Sequence, residues 1–265
     1  MANNILYFLI AAVFSCYPMA EAKAGVPVKK QKIEKTATVG ECIFSVTVDR
    51  PVCSNTALKS SLEKSILEAM LNNHSFEIPK DAQSRLKGKT FDKAVQAYAD
   101  MIAQAMAEEY GDDMPSDPDE AMKWYGSMEV NQVADAAGYV SYEFSEERFS
   151  GGAHGMYHFV TLTFRKSDGK PLKNILRRDN ESSIEPLLSK SIKNQEAVKP
   201  YLEYMESNTL PLPMEDGWLA PDGLHIMYQP YEIGNWAMGA PEFVIPVSKA
   251  IPLISSEAAR LLRQK

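Results

Sequence analysis

Two imidazoles four residues apart are the first place to look for chemistry in this chain. They stand in His154-Gly155-Met156-Tyr157-His158, a spacing that puts both side chains on one face of either a helix or a strand. A zinc ion would need at least a third ligand, and Glu146 or Glu147 just upstream could supply one. The plainer reading has His154 bonding to loop backbone and His158 on a half-exposed strand face. The incomplete ligand set favours that reading, and the sequence calls for neither a metal nor a cofactor.

Polysaccharide deacetylases hold their metal with a Thr-Phe-Asp-Asp segment and a later pair of histidines. Thr90-Phe91-Asp92 and the His154/His158 pair imitate that order. The context differs, because the second acid is Lys93, a polar run precedes, and an amphipathic helix follows. Glycosidase chemistry needs two carboxylates about 5–9 Å apart across a cleft. Asp216, Asp222 and Glu232 are candidates, although acids beside turns are usually solvated. Asp112, Asp113, Asp117, Asp119 and Glu120 lack the spacing and central glycine of a calcium loop. No Gly-x-Ser-x-Gly nucleophile elbow occurs. Gly151 and Gly152 are read as a positive-φ turn or a place of close approach. The aromatic residues Tyr228, Tyr231 and Trp236, with Trp218 nearby, form the best candidate recognition surface, since such rings stack on sugars and anchor interfaces. Packing beneath a loop would explain them equally well.

These residues sit in a chain of 265 residues with 45% hydrophobic and 24% charged residues, an ordinary globular composition with ample material for a core. The net charge of −7 and the lack of a long basic run argue against nucleic acid as a partner. Residues 5–14 are a ten-residue apolar run, too short to span a bilayer as a helix. The small-residue stretch after it offers Ala20-Glu21-Ala22 and the overlapping Ala22-Lys23-Ala24 as cleavage sites. Residues 1–22 are therefore read as a secretory signal peptide, despite an amino-terminal region without Lys or Arg. Lipidation at Cys16 fits less well, because the bulky Phe14 spoils the lipoprotein pattern. Export, to the periplasm or the cell surface, is the expected address, with no membrane span left after cleavage. Cys42 and Cys53 remain as a possible disulfide. A continuous strand would hold them about 36 Å apart, so a bridge requires the chain to fold back near Val48–Arg50.

The periodicity predicts a flexible lead-in over 23–35 and a strand over 43–48 with Phe44, Val46 and Val48 on one face. Asp49-Arg50-Pro51 is expected to end it. A helix follows with Leu58, Leu62, Ile66 and Met70 inward, then a second from Thr90 to Gly111 through Phe91, Val95, Tyr98, Ile102 and Ala105. The acidic tract 112–120 reads as a loop. Strands are expected over 123–133, 138–146, 158–164, 224–228 and 242–246, and helices through Ile184–Ile192 and 256–263. Such blocks indicate an α+β class with a largely antiparallel sheet and packed helices, in two joined modules over 36–130 and 131–265.

Three ordered stretches carry a family resemblance. They are Ser150-Gly151-Gly152-Ala153-His154, the step Lys166-Ser167-Asp168-Gly169-Lys170-Pro171-Leu172, and Tyr228-Gln229-Pro230-Tyr231-Glu232-Ile233-Gly234 running into an apolar strand. Together they resemble the RsiV-like family of extracytoplasmic bacterial domains, over about residues 138–262. Gly234-Asn235-Trp236 departs mildly from the usual pattern at that point. The resemblance implies an α+β fold of two modules, an envelope location and no established shared enzymatic activity. It points to a non-catalytic binding protein whose partner is a cell-wall glycan or a basic protein such as lysozyme, and the acidic balance suits a basic partner. The alternatives are a hydrolase or deacetylase of envelope glycans working through His154, and a purely structural envelope protein.

Overall fold

The computed structural model describes residues 25–72, 75–110, 124–151 and 153–264. The signal segment, the acidic tract 112–120 and Gly152 lie outside the described residues.

Eleven-residue strands β1 (Lys29–Val39) and β2 (Cys42–Val52) form an antiparallel hairpin. Gly40 turns it with φ 59°, a conformation glycine adopts without steric cost. The lead-in expected over 23–35 is thus mostly strand. Its lysines made it look unstructured, but they are exposed or half-buried while Ile33 and Ala37 are buried, the pattern of a charged edge strand. Nor does Pro51 end β2. The pairing with the next strand stops at Val48, so the missing N–H falls where β2 keeps only β1 as a neighbour.

After β2 the chain leaves the sheet through α1 (Thr56–Asn72), α2 (Ala82–Leu86) and α3 (Phe91–Tyr110). Asn55 Oδ1 accepts the Leu58 N–H at 3.0 Å and starts α1. The chain returns as β3 (Tyr125–Asp135), which pairs parallel with β2 because a helical crossover restores the strand direction. Strands β4 (Tyr139–Phe149) and β5 (Met156–Arg165) continue antiparallel, giving the sheet order β1-β2-β3-β4-β5. Its one parallel pair apart, this sheet is antiparallel as expected. The helices cover one face. Phe44, Val46, Val48, Val140, Tyr142 and Phe144 meet Leu62, Ile66, Tyr98 and Ile102 there, all nearly or fully buried. Each fully buried Leu, Ile or Phe contributes roughly 1.5–3 kcal/mol.

The second module follows with α4 (Glu181–Ile192), α5 (Lys199–Tyr204), β6 (Trp218–Ala220), β7 (Gly223–Met227), β8 (Glu242–Pro246), α6 (Val247–Ala250) and α7 (Ser256–Leu262). Strands β6, β7 and β8 form a separate antiparallel sheet with its own core around Leu188, Leu224, Phe243 and Leu253. The boundary expected at 130/131 therefore falls inside β3, and the division between modules comes after β5. Local periodicity shows that 125–135 is a strand but not that β3, β4 and β5 join β2 in one sheet.

The second sheet docks on the face of the first that the helices leave open. Ser141 Oγ donates to the Leu219 carbonyl at 2.7 Å, and Thr163 Oγ1 accepts the Leu219 N–H at 3.0 Å. Both hydroxyl residues are almost fully buried. Docking covers the Tyr139 end of that face and leaves the Phe149 end open, where Tyr125 is 41% and Tyr157 38% exposed.

Cys42 and Cys53 are both free. They bracket the unbroken strand β2, which never folds back, so the disulfide considered from sequence does not form. Burial pushes the Cys42 thiol up, with Glu41 adding to the effect, and Cys53 Sγ donates to the Asn55 carbonyl at 3.3 Å. No helix among the described residues is long and apolar enough to cross a membrane.

Candidate functional site

The segment after β7 carries most of the residues singled out from sequence, and the structure divides them sharply. Tyr228 is fully buried, with its hydroxyl donating to the Pro211 carbonyl at 2.6 Å. Trp218 is buried beside His225, ring centroids 5.0 Å apart. Neither belongs to a recognition surface. Glu232 is structural as well: its two carboxylate oxygens accept the Gln229 N–H at 2.7 Å and the Met214 N–H at 2.6 Å, tying the turn closed. Burial nonetheless pushes its carboxyl up. Held in that turn, Tyr231 takes φ 71° and stands 55% exposed.

Gln229, a residue whose type alone signals no role, fastens this turn to the first module. Its Oε1 accepts the Phe159 N–H at 3.0 Å, and its Nε2 donates to the Phe159 carbonyl at 2.6 Å. One side-chain amide thus completes the backbone bonding that a neighbouring strand would give β5.

The clamp brings two distant motifs together. The His154 imidazole stacks on the Trp236 indole, centroids 4.1 Å apart and planes inclined by 17°. Both rings donate to one oxygen, the Gly155 carbonyl: His154 through Nδ1 at 2.9 Å and Trp236 through Nε1 at 3.1 Å. This fixes the proton of the neutral imidazole on Nδ1. Nε2 then accepts the Tyr231 hydroxyl at 3.3 Å. Tyr157 approaches the other component, its ring 6.2 Å from Trp236. Gly151, with φ 92°, turns the loop that delivers His154, and Ala153 is exposed beside it.

Catalysis finds little support in this arrangement. Both His154 nitrogens are engaged by neutral groups, and among the described residues no carboxylate orients the ring as a base. His158 belongs to β5, opposite Glu146 on β4 and on the helix-side face, so the two histidines do not converge. Glu146 is buried, with Oε2 accepting the Ser75 N–H at 2.9 Å. Asp92 pairs with Arg50 at 3.1 Å on the helix layer. Among the described residues, no group of three or more His, Cys, Asp or Glu side chains could hold a metal ion. The residues present therefore do not fit the metal of a polysaccharide deacetylase. The three glycosidase candidates also have structural partners: Asp216 holds the Ile175 N–H and Arg178, both at 2.8 Å, Asp222 holds His225 at 2.8 Å, and Glu232 closes its turn. A groove of about 570 Å³ lies between α1, α2 and α3, lined by Leu67, Leu71, Leu86 and Phe91, and includes no site residue expected from sequence.

Beside the His154–Trp236 stack, the open sheet face carries a second ring pair that sequence reasoning missed. Tyr125 on β3 stacks on Phe149 of β4, centroids 5.6 Å apart and planes inclined by 19°. The Tyr125 hydroxyl donates to Glu147 Oε1 at 3.1 Å. Glu147 lies opposite Tyr157 in the strand register. Its hydrogen bond pushes the Tyr125 phenol up, and its negative charge does the same to Tyr157. The signal available in the sequence was strand alternation, which puts Tyr125, Glu147, Phe149 and Tyr157 on the face away from the helices.

Comparisons with known proteins follow the same division of the chain. No curated protein matches it. Residues 38–157 match the family described as Deacetylase PdaC, and residues 173–248 match the family described as protein of unknown function DUF3298. A crystal structure of a DUF3298 family member from Bacteroides fragilis NCTC 9343 superposes with a TM-score of 0.60 at 19% identity, covering 91% of this chain and 99% of that one. A DUF3298 family protein from Pseudomonas aeruginosa PAO1 superposes with a TM-score of 0.54 at 13% identity, covering 89% and 98%. The chain therefore joins a PdaC-like segment to a DUF3298-like segment, in the two-module α+β fold that these DUF3298 structures share.

Proposed function

We propose that this protein is a non-catalytic binding module of the bacterial cell envelope, exported by its amino-terminal signal, and that it recognises cell-wall glycan. The observation that carries this reading is the open aromatic surface at the module junction: His154 stacked on Trp236, flanked by Tyr157 and the 55% exposed Tyr231. Such rings offer flat apolar area with polar edges, the combination that sugars stack upon. The same residues lack the base, nucleophile or ligand set that hydrolysis or deacetylation would require. The RsiV-like resemblance and the PdaC and DUF3298 matches favour an envelope role by analogy of fold. A basic protein such as lysozyme is the second reading, favoured by the net charge of −7 and by Glu129, Glu143 and Glu147 on the open face.

Calorimetric titration of the purified chain with soluble peptidoglycan fragments, and separately with lysozyme, tests this reading. Saturable glycan binding without turnover is expected, lost in Trp236→Ala and weakened in Tyr231→Ala with both variants still folded by circular dichroism. Glycan turnover abolished by His154→Ala would replace the module with an enzyme. Binding of lysozyme alone would move the partner to the second reading.

A further inference from the structure

The two ring pairs are parts of one row. Across the open face the order is Tyr125 on β3, Glu147 on β4, Tyr157 on β5, then Trp236 reaching over from the second module. Tyr125 lies opposite Phe149 and Tyr157 opposite Glu147, so the line runs obliquely across β4. Two strand spacings and a two-residue offset separate Tyr125 from Tyr157 by about 12 Å, and the line continues a further 6.2 Å to the Trp236 centroid. A line of rings across an open sheet face suits an extended polymer, one unit after another, better than the convex surface of a folded protein.

A carboxylate sits inside that row. Among the described residues Glu147 makes no salt bridge, and its bond from Tyr125 is neutral. The adjacent Arg148 turns to the opposite face, where its guanidinium lies 5.8 Å from the Phe76 ring centroid. The other charges on the open face near it, Glu129 and Glu143, are of the same sign. A carboxylate held by phenol hydroxyls and by no cation among the described residues, with electron-rich rings beside it, attracts a cation and has nothing to offer an anion.

We infer that the row Tyr125–Glu147–Tyr157–Trp236 binds a linear glycan whose amino sugars carry free, protonated amines, with Glu147 receiving the ammonium group. The inference rests on the glycan-binding reading and adds to it a preference for charge. An N-acetyl group has the same position on the sugar but no positive charge, so Glu147 separates the two forms while the rings hold both.

The test uses the full chain with glucosamine oligomers and N-acetylglucosamine oligomers of equal length, titrated at low and at high salt. Glucosamine oligomers are expected to bind about tenfold more tightly at low salt, a gap that narrows as salt screens the charge. Glu147→Gln keeps the shape and an acceptor for Tyr125, and is expected to remove that gap while leaving the acetylated oligomer within about twofold. Equal affinity for both oligomers, with Trp236→Ala abolishing each, would overturn the charge preference and leave glycan binding standing. Parallel weakening of both oligomers by Glu147→Gln would also overturn it, making Glu147 a shape-determining residue. Failure of either oligomer to bind, with a basic protein binding instead, would overturn the inference and the glycan reading together.

Discussion

The two faces of the five-stranded sheet are made by alternate residues of the same strands, yet they are built on different physics. On β4, Val140, Tyr142 and Phe144 point beneath the helices and are at most 2% exposed. Their neighbours Ser141, Glu143, Glu147 and Phe149 point the other way, into hydroxyl contacts with the second sheet or onto the open face. The helix side is held by extensive non-directional apolar burial, and the other side by a few directional hydrogen bonds beside a small apolar cluster of Ala134, Trp218, Ala220 and Met227. Stability is thus concentrated on one face, which leaves the opposite face free to carry exposed rings and the Glu147 carboxylate. The difference explains how recognition residues can be contributed by two modules without weakening either core.

The sharpest way to break this contrast is to damage the apolar face. Phe44 is fully buried, with edge-to-face contacts to Phe76 and Tyr98 at 6.1 Å each. Phe44→Ala is expected to cost about 3–5 kcal/mol in urea unfolding, because the site can only partly collapse. On the other face, Gln229→Ala leaves both backbone groups of Phe159 without their partner. A loss of about 1–3 kcal/mol is expected, together with faster hydrogen exchange at the Phe159 amide and altered Trp236 fluorescence. If Gln229→Ala proved as costly as Phe44→Ala, the division of labour between the faces would fail.

Two titrations sharpen the comparison further. His225 is held between Glu242 at 2.6 Å and Asp222 at 2.8 Å. Burial alone lowers this imidazole, but the hydrogen bonds to Glu242 and Asp222 outweigh it and keep it above its ordinary value. A raised value means the folded state holds the proton more firmly, so the contribution is complete below about pH 6.5 and fades as pH rises through the folded value. His225→Gln is therefore expected to cost about 1 kcal/mol at pH 5.5 and little at pH 8.5, read from paired urea melts. Glu146 gives the opposite sign. Burial raises its carboxyl, partly opposed by the Ser75 bond, and Oε1 has no partner among the described residues. Ionising it in the folded protein is unfavourable, so stability falls as pH rises above about 4.3. Glu146→Gln is expected to be more stable than the wild type at pH 7, by up to about 1 kcal/mol, and indistinguishable from it at pH 4.

Much of the helix-side face was legible along the chain. The spacing of Leu58, Leu62, Ile66 and Met70, and of Phe91, Val95, Tyr98 and Ile102, predicted helices and inward faces that the structure contains. The strand over 242–246 has the expected bounds. Local chemistry was less reliable where an edge was involved. Lysines on β1 read as a flexible segment, and Pro51 as a terminator, because nothing local reveals that β1 has one neighbour or that β2 loses β3 beyond Val48. The candidate surface was half legible. Its His154, Tyr231 and Trp236 were singled out, but Tyr228 and Glu232 could not be separated from them by residue type. Gln229 and Tyr125 were missed, and Glu147 was weighed only as a third zinc ligand, because their roles depend on partners 70, 22 and 22 residues away in sequence.

What the sequence by itself determined is the set of elements and which side of each is apolar, since hydrophobic period is a local property that burial then enforces. What only the tertiary structure decided is the meeting of His154 with Trp236, 82 residues on, and the row they complete with Tyr157, Glu147 and Tyr125. That meeting depends on β3 returning to pair with β2, and on one Gln229 side chain joining the second module to β5. Such long-range pairings are selected by the energy of the whole assembly, and no single stretch of the chain encodes them.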